Sequence, residues 1–300
     1  MPNHILITGA SGLIGKQLTE LLLSKNHKVS HLGRSVKKGA VPSYQWDIEK
    51  KYIDPRALEG IDTIIHLAGA GVSDHRWSEE WKKEILESRT HSSRLLFETL
   101  KQGKHQVKNV IAASAIGIYG FTMSNQLYNE ESKPGDDFLA QVVRAWEEEV
   151  DQIQSLGIRV VKIRIGIVLS EKGGALKQMA KPVKLFVGSP LATGKQYVSW
   201  IHIDDLCGIF AKAVEDNRMT GAYNAVAPRA VTNKEITEAM AKALHRPLWI
   251  PSVPAFVLKI VVGEMANIVI NGSNVSAEKV EEAGYAFRFK ELSEALKDLL

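Results

Sequence analysis

Three glycines stand at even spacing near the start of the chain, in the stretch TGASGLIG. The stretch follows the apolar run HILITG and opens the amphipathic run LIGKQLTELLL, so it joins a predicted strand to a predicted helix. Glycine allows a tight turn and a close approach to a pyrophosphate, and free N–H groups at a helix start bind phosphate oxygens. The spacing therefore predicts a dinucleotide-binding loop, with a plain strand–helix turn as the alternative. Its members are Thr8, Gly9, Ala10, Ser11, Gly12, Leu13, Ile14 and Gly15.

The end of the second predicted strand indicates which dinucleotide is bound. It reads Gly33, Arg34, Ser35, with lysines at 37 and 38 and no acidic residue. An NAD site usually has an Asp or Glu here to accept from the ribose 2′-OH, whereas Arg suits a 2′-phosphate. The sequence favours NADP(H) over NAD(H). Stacking of Arg34 on an adenine, or a solvated loop charge, are the alternatives.

The positioning elements follow from an alternation of short apolar runs and helical patterns. Such alternation is typical of a parallel sheet covered on both faces, so we predict a doubly wound α/β Rossmann fold. We place a boundary near residue 230, with a nucleotide-binding domain over 1–230 and a smaller C-terminal domain over 231–300 for substrate or partner. The predicted strands of the first half are 4–9, 28–33, 63–69, 109–114 and 159–170, and its helices are 13–26, 81–100 and 136–156.

The bulk composition excludes several classes of protein. Of the 300 residues 45% are apolar and 24% charged, as in ordinary globular proteins. The net charge is +4 and the basic residues are spread out, so we expect neither nucleic acid nor a membrane as partner. The apolar stretch 253–270 contains Lys259 and Glu264 and lacks the ~20 apolar residues of a membrane span.

The cysteine and histidine content points to a reducing compartment without metal chemistry. Cys207 is the single cysteine and its setting looks like a buried helix face, so a core role is predicted. No His, Cys and Glu cluster has metal-ligand spacing, so no metal is expected. With a strand starting at residue 4, no signal peptide is expected, and we predict a cytoplasmic protein. The expected partners are a small-molecule substrate and, in a homodimer, a second copy of the chain.

These motifs and several later ones resemble the extended short-chain dehydrogenase/reductase superfamily, also called the NAD-dependent epimerase/dehydratase superfamily. The resemblance rests on the glycine loop, Asp47-Ile48, HLAGAGV (66–72), SAIGIYG (114–120) and RIGIVLS (164–170). Within it, the chain is similar to a branch of epimerase-like proteins, some once labelled cell-division inhibitors or nucleoside-diphosphate-sugar epimerases. The branch motifs lie at Trp77, 80–82, Ile85, Ser88-Arg89, 138–147, 188–205 and 283–287.

The resemblance implies further cofactor contacts. Asp47 and Ile48 would flank the adenine. The backbone of Ala68, Gly69 and Ala70 would line the ribose on the nicotinamide side. The strand end at Ala113-Ser114 and the stretch from Ile165 to Val168, with Arg164 and Gly166 among the cofactor contacts, would flank the nicotinamide.

The catalytic set of the wider superfamily is not found in its usual form. Its members use a hydroxyl residue with Tyr-x-x-x-Lys, in which the Lys lowers the tyrosine pKa. None of the seven tyrosines has a Lys four residues later, and Phe138 and Val142 stand at the expected places. The usual hydroxyl position is Ala115. The catalytic candidates that remain are Ser114 and Tyr119, and Tyr119 is either a proton donor or a pocket wall.

Three more residues are candidates for the substrate pocket: Phe138, Trp200 and His202. Trp200 is predicted either to cover the substrate or to pack in the core. His202 either lines the pocket or is a strand histidine that caps the next helix, for which Asp204 is also a candidate N-cap. His66 lies in an apolar strand and is predicted to be a core histidine.

The sequence thus predicts an NADP(H)-binding epimerase-like oxidoreductase. Its substrate is undetermined, with a nucleotide sugar or a small carbonyl compound as candidates. The alternative is a non-catalytic NADP(H)-binding sensor or regulatory protein. An assembly protein with an empty Rossmann core is disfavoured by the intact glycine loop and by Arg34.

Overall fold

A computed structural model describes residues 2–123 and 125–300. These residues form fourteen strands, eight of which make up a central sheet. The strands are β1 (His4–Thr8), β2 (Lys28–Gly33), β3 (Ser43–Asp47), β4 (Tyr52–Ile53), β5 (Thr63–His66), β6 (Asn109–Ala115), β7 (Leu127–Tyr128), β8 (Arg159–Ile165), β9 (Ile167–Leu169), β10 (Tyr197–Val198), β11 (Trp200–His202), β12 (Gly221–Ala225), β13 (Val231–Thr232) and β14 (Asn274–Val275). The helices are α1 (Leu13–Ser24), α2 (Glu79–Lys101), α3 (Phe138–Asp151), α4 (Ala175–Lys184), α5 (Ile203–Glu215), α6 (Asn233–Ala243), α7 (Ala255–Val262), α8 (Ala266–Ile270), α9 (Glu278–Glu282) and α10 (Leu292–Leu299).

The central sheet has the order β12-β8-β6-β5-β1-β2-β3-β4. Its pairs are parallel except for the edge pair of β3 and β4. The chain runs outward from β1 through β2 and β3, then returns to place β5 on the other side of β1. The loops after β1 and β5 therefore diverge at a topological switch point, where open α/β sheets bind ligands. The predicted doubly wound α/β fold is confirmed.

Three of the described helices that support the site and the C-terminal region begin at a side-chain cap. The hydroxyl of Ser78 accepts the N–H of Trp81 at the start of α2, where two glutamates follow in the first turn. The carboxylate of Asp137 caps α3. At α6 Thr232 and Glu235 form a reciprocal capping box.

One predicted strand is wrong as a single element. The stretch 159–170 divides at Gly166 into β8, in the central sheet, and β9, which pairs with β11 in a separate two-stranded sheet. A Cβ at Gly166 would lie 2.4 Å from the carbonyl oxygen of Ser199, so only glycine fits at this crossing. The predicted helix over 136–156 is likewise shorter, because the chain tightens into a 3₁₀ turn over Gln152–Leu156.

A second hydrophobic core lies apart from the core of the central sheet. It contains Leu169 and Trp200 from before residue 230, and Ile236 and Leu296 from after it. Elements on both sides of residue 230 therefore pack together, and the boundary there stays a prediction. Cys207 is buried on α5, and burial raises the pKa of its thiol to about 12, so it is a core residue as predicted. No helix among the described residues is long and apolar enough to cross a bilayer.

Candidate functional site

The glycine stretch from Gly9 to Gly15, which joins β1 to the first turn of α1, has no room for side chains at two of its glycines. Gly9 has φ +67°, and a Cβ there would lie 2.8 Å from the carbonyl carbon of Leu67. A Cβ at Gly15 would lie 2.6 Å from the Cα of Ala10. Helix α1 begins after Gly12, which has no side chain to cap it. Its first N–H groups are thus open to an anion, as a phosphate-binding loop requires.

Thr8 and His66 join the end of β1 to the end of β5. The Thr8 hydroxyl oxygen accepts the N–H groups of Leu67 and Ala68, at 3.1 and 3.2 Å, and lies 2.8 Å from His66 Nδ1. Because the oxygen accepts two amides, its own hydrogen points to Nδ1, and His66 Nε2 carries the ring proton. That nitrogen faces two serine hydroxyls of α2. Burial lowers the pKa of His66 to about 4, so it is a neutral core histidine.

The loop after β2 presents Arg34 and Ser35 to solvent. The Arg34 carbonyl accepts a hydrogen bond from the Gln45 side chain at 3.2 Å, which ties this loop to β3. None of the ion pairs formed by the described residues includes Arg34. Its guanidinium is therefore available to an anionic ligand.

Asp47 and Ile48 lie half-buried at the end of β3. The Asp47 carboxylate accepts the backbone N–H of Lys50 at 3.0 Å and lies 3.4 Å from its Nζ. These contacts hold the pKa of Asp47 below its usual value. In the structure this carboxylate closes the turn after β3.

Arg89 is a cation of this region that the sequence analysis did not select as a site residue. Its guanidinium lies over the ring of Trp146, 5.2 Å from the centroid, and packs against Gly69 in the loop after β5. One of its N–H groups donates to the Ile85 carbonyl at 2.8 Å. Burial lowers the pKa of Arg89 to about 10, and no carboxylate among the described residues offsets this. In the sequence, the only signal for Arg89 was its place in the Ser88-Arg89 motif of the branch.

Ser114 lies at the end of β6 inside a buried network of charges. Its hydroxyl donates to Glu147 Oε1 at 2.6 Å, and Arg164 donates to both oxygens of Glu147 at 2.9 Å. Lys162 lies 3.4 Å from the same carboxylate. Burial alone would raise the pKa of Glu147, but the Arg164 bonds and the Lys162 charge hold it below its usual value. Arg164, predicted to flank the nicotinamide, is thus held by a carboxylate.

Tyr119 belongs to the same network. Its hydroxyl donates to Asn224 Oδ1 at 2.7 Å and accepts from Arg164 at 3.2 Å. The ring is buried, and burial raises the pKa of Tyr119 to about 12 although Arg164 acts in the opposite direction. Ser114, Tyr119 and Arg164 are therefore brought together, but by hydrogen bonds that already use both hydroxyl hydrogens.

Phe138 stands at the start of α3, where α2 and the C-terminal segment meet. Its ring packs edge-to-face against Trp77 at 5.1 Å, and the Lys82 ammonium lies 5.7 Å from its centroid. Lys82 also pairs with Glu264 at 2.5 Å, which raises the pKa of the lysine. The structure thus places Phe138 beside an ion pair that links the two halves of the chain.

Trp200 and His202 lie away from this region. Trp200 is fully buried in the second core, and its N–H donates to the Arg229 carbonyl at 3.1 Å, so it packs and does not cover a substrate. His202 is buried and stacks on Phe289 at 3.8 Å. Its Nδ1 accepts the N–H of Asp204, so the prediction that His202 caps the next helix, α5, is confirmed, and the alternative that Asp204 is the cap is wrong. Within the described residues no three His, Cys, Asp or Glu side chains form a group that could hold a metal.

A parallel doubly wound sheet with a glycine loop at its switch point defines a dinucleotide-binding protein. The model of the NAD dependent epimerase/dehydratase family matches residues 5–226, and a domain of unknown function, DUF1731, matches residues 253–299. The chain therefore belongs to the NAD-dependent epimerase/dehydratase family, and the resemblance found in the sequence is confirmed.

Individual relatives match along the full chain. The epimerase family protein YfhF of Bacillus subtilis is 34% identical, over 99% of this chain and 98% of its own length. The crystal structure of the human epimerase family protein SDR39U1 (isoform 2) with NADPH has a TM-score of 0.89 and 32% identity, covering 99% of this chain and 98% of that one. A Thermus thermophilus UDP-glucose 4-epimerase complex with NAD, at 21% identity over 99% of this chain and 98% of that one, has a TM-score of 0.75 and shows the shared fold.

Proposed function

We propose that this protein is an NADP(H)-dependent oxidoreductase of the epimerase type, acting on a small substrate such as a nucleotide sugar or a carbonyl compound. The observation that carries the proposal is the loop from Gly9 to Gly15. Two of its positions exclude any side chain, and the helix it opens has an uncapped start. A relative of 32% identity was crystallised with NADPH, which supports the same class of ligand.

The chain's own residues fit a dinucleotide carrying a 2′-phosphate. The backbone from Gly9 to Gly15 would hold the pyrophosphate, and Arg34 with Ser35 would hold the 2′-phosphate. Asp47 shapes the loop expected beside the adenine, and Thr8 shapes the one expected beside the ribose. When bound, the cofactor supplies a hydride donor or acceptor to the substrate.

The hydroxyl groups that could donate a proton to a substrate are arranged differently from those of the wider superfamily. Ser114 donates to Glu147, and Tyr119 donates to Asn224, so neither hydroxyl has a free hydrogen. The raised pKa of Tyr119 also opposes its ionisation at neutral pH. The catalytic assignment of these two residues stays a prediction, and their geometry favours a role in holding Arg164.

Replacement of Arg34 tests the cofactor. For Arg34→Ala we expect the Kd for NADPH to rise about tenfold or more, because a charge-assisted bidentate contact is removed, while the Kd for NADH stays within about twofold. Titration calorimetry with both nucleotides measures the change.

An exposed arginine with an internal partner provides the matched control. Arg218 is exposed, pairs with Asp216 and lies far from Arg34 in the sequence. Arg218→Ala should therefore leave both Kd values unchanged. Equal losses for NADPH and NADH in Arg34→Ala would contradict the assignment of Arg34 to the 2′-phosphate.

Binding without turnover is the second candidate function. The internal hydrogen bonds of Ser114 and Tyr119 favour it, because the described site then lacks the usual proton donor. Incubation with NADPH and a panel of carbonyl compounds and nucleotide sugars, followed by absorbance near 340 nm, separates the two. Consumption of NADPH, or conversion of a nucleotide sugar to its epimer without net consumption as seen by chromatography of the products, supports the enzyme. Tight NADPH binding with neither outcome across the panel supports the sensor.

A further inference from the structure

Two segments in the second half of the chain carry cations without acids. Residues 172–203 and 239–263 contain eight Lys or Arg and no Asp or Glu, whereas the whole chain has a net charge of +4. The rest of the chain is therefore net negative. None of the eight forms an ion pair with a described residue. They are Lys172, Lys177, Lys181, Lys184, Lys195, Lys242, Arg246 and Lys259.

The same two segments expose large apolar side chains. Leu185, Phe186 and Val187 are consecutive and follow α4, and Trp249 lies in the second segment; all four are between 46 and 69% exposed. Phe186 has φ +62°, a conformation that a bulky residue adopts only at a cost. The backbone thus keeps the apolar loop 185–187 exposed to water beside the lysines of α4.

The two segments contact one another. The Arg246 guanidinium lies over the Phe186 ring at 4.6 Å. The Ser189 hydroxyl donates to the Pro251 carbonyl at 2.6 Å. The loop of Phe186 and the loop of Trp249 are therefore neighbours on the surface.

Helix α7 follows the second loop and adds to its apolar character. None of its eight residues is buried, and Lys259 is its single charged residue. Phe256, Ile260 and Val261 are each more than 60% exposed. The exposed apolar face of this helix gains stability when it leaves water.

We propose that the basic-apolar surface, formed by Lys181, Lys184, Leu185, Phe186, Arg246, Trp249 and α7, binds the surface of a bilayer containing anionic lipids. Lysines and arginine beside exposed aromatic side chains suit this interface, since the cations meet the headgroups and the rings enter the boundary with the acyl chains. A groove of about 500 Å³ adjoins the loop 185–187; its lining includes three lysines, Lys177, Lys181 and Lys184, together with Glu171 and the C-terminal Leu300. Charge argues against a second copy as the occupant, because a two-fold contact would bring these cations face to face.

This inference revises the expectation of no membrane partner. That expectation averaged the charge over the whole chain, and the average conceals the separation of cations and acids between regions. Contact with one leaflet is also compatible with the finding that no described helix spans a bilayer.

Sedimentation of the full-length chain with phosphatidylcholine vesicles, with and without phosphatidylglycerol, tests the proposal. We expect binding that requires phosphatidylglycerol and weakens at high salt. Lys181→Glu with Lys184→Glu should lower it about tenfold or more, since each cation near an anionic surface contributes about fivefold. Phe186→Ser with Trp249→Ser should lower it at every salt concentration.

Lys104→Glu with Lys133→Glu is the matched control, because both lysines are exposed and lie outside the two segments. This variant should bind as the unchanged chain does, and NADPH binding should persist in all variants, which shows that they fold. Absence of binding to anionic vesicles would overturn the proposal, as would equal losses in the control. A dimer in sedimentation velocity that Phe186→Ser with Trp249→Ser dissociates would assign the surface to a second copy instead.

Discussion

His66 determines how one part of the site responds to acid. It is the last residue of β5, its ring is buried against α2, and the Thr8 hydroxyl donates to its Nδ1. That hydrogen bond requires the neutral imidazole, because a protonated ring has no acceptor at Nδ1. Acid therefore acts on the same contact that positions the amides of Leu67 and Ala68.

The free energy of unfolding should fall as the pH decreases from about 6.5 to about 4. The unfolded imidazole takes up its proton near 6.5, whereas the folded one does so at about 4. Between these values the unfolded chain binds more protons, so His66 contributes a loss on the order of 3 kcal/mol across the window. Urea unfolding at several pH values measures the slope.

Two variants isolate the effect of His66. In His66→Gln the slope between pH 6.5 and 4 should be smaller, since the titrating ring is gone. His91 is exposed on α2, and His91→Gln should leave the slope unchanged. An unchanged slope in His66→Gln would sink the assignment.

At the scale of elements, Glu147 and Arg164 couple α3 to β8. The carboxylate accepts two hydrogen bonds from the guanidinium, and both side chains are buried. Removal of Glu147 leaves Arg164 buried without its carboxylate, and removal of Arg164 leaves Glu147 with the weaker partner Lys162 at 3.4 Å, so either single loss is more costly than removal of both.

A double-mutant cycle tests this coupling. We expect Glu147→Gln and Arg164→Met each to lower the free energy of unfolding by about 3–5 kcal/mol, and the double variant to lose clearly less than the sum. Urea unfolding at pH 7 provides the values. Strict additivity would show that the pair is not coupled. The exposed pair of Lys83 and Glu87 is the control, and Glu87→Gln should cost less than about 1 kcal/mol.

The elements also show which structural features can be predicted from a sequence. The glycine loop was predicted because all its determinants lie within eight residues and follow a strand. The hydrogen bonds of Ser114 and Tyr119 were not, because their partners lie 33 and 105 residues away along the chain. The break at Gly166 escaped for a similar reason, since it depends on the carbonyl of Ser199. Local patterns thus identified the ligand loop, while long-range contacts decided what the predicted catalytic residues do.

At the scale of the whole molecule, the second core joins regions on both sides of residue 230. Trp200 and Leu169 pack with α6 and α10, and no part of Trp200 reaches the surface. A chain ending at residue 230 would expose this tryptophan and its neighbours to water.

We therefore expect the fragment 1–230 to bind a hydrophobic dye such as ANS and to lose the sharp unfolding transition of the full chain. Tryptophan fluorescence should shift to longer wavelength as Trp200 becomes solvated. Calorimetry and fluorescence of both chains measure this. A fragment that unfolds cooperatively with native tryptophan emission would support an independent domain ending at residue 230.

The crossing at Gly166 has a mechanical consequence. A single residue separates β8 from β9, so the central sheet and the second core share one continuous length of backbone. Rotation of one core against the other would pull on Arg164, two residues before the crossing, and Arg164 is clamped by Glu147. We infer that the two cores move as one rigid body.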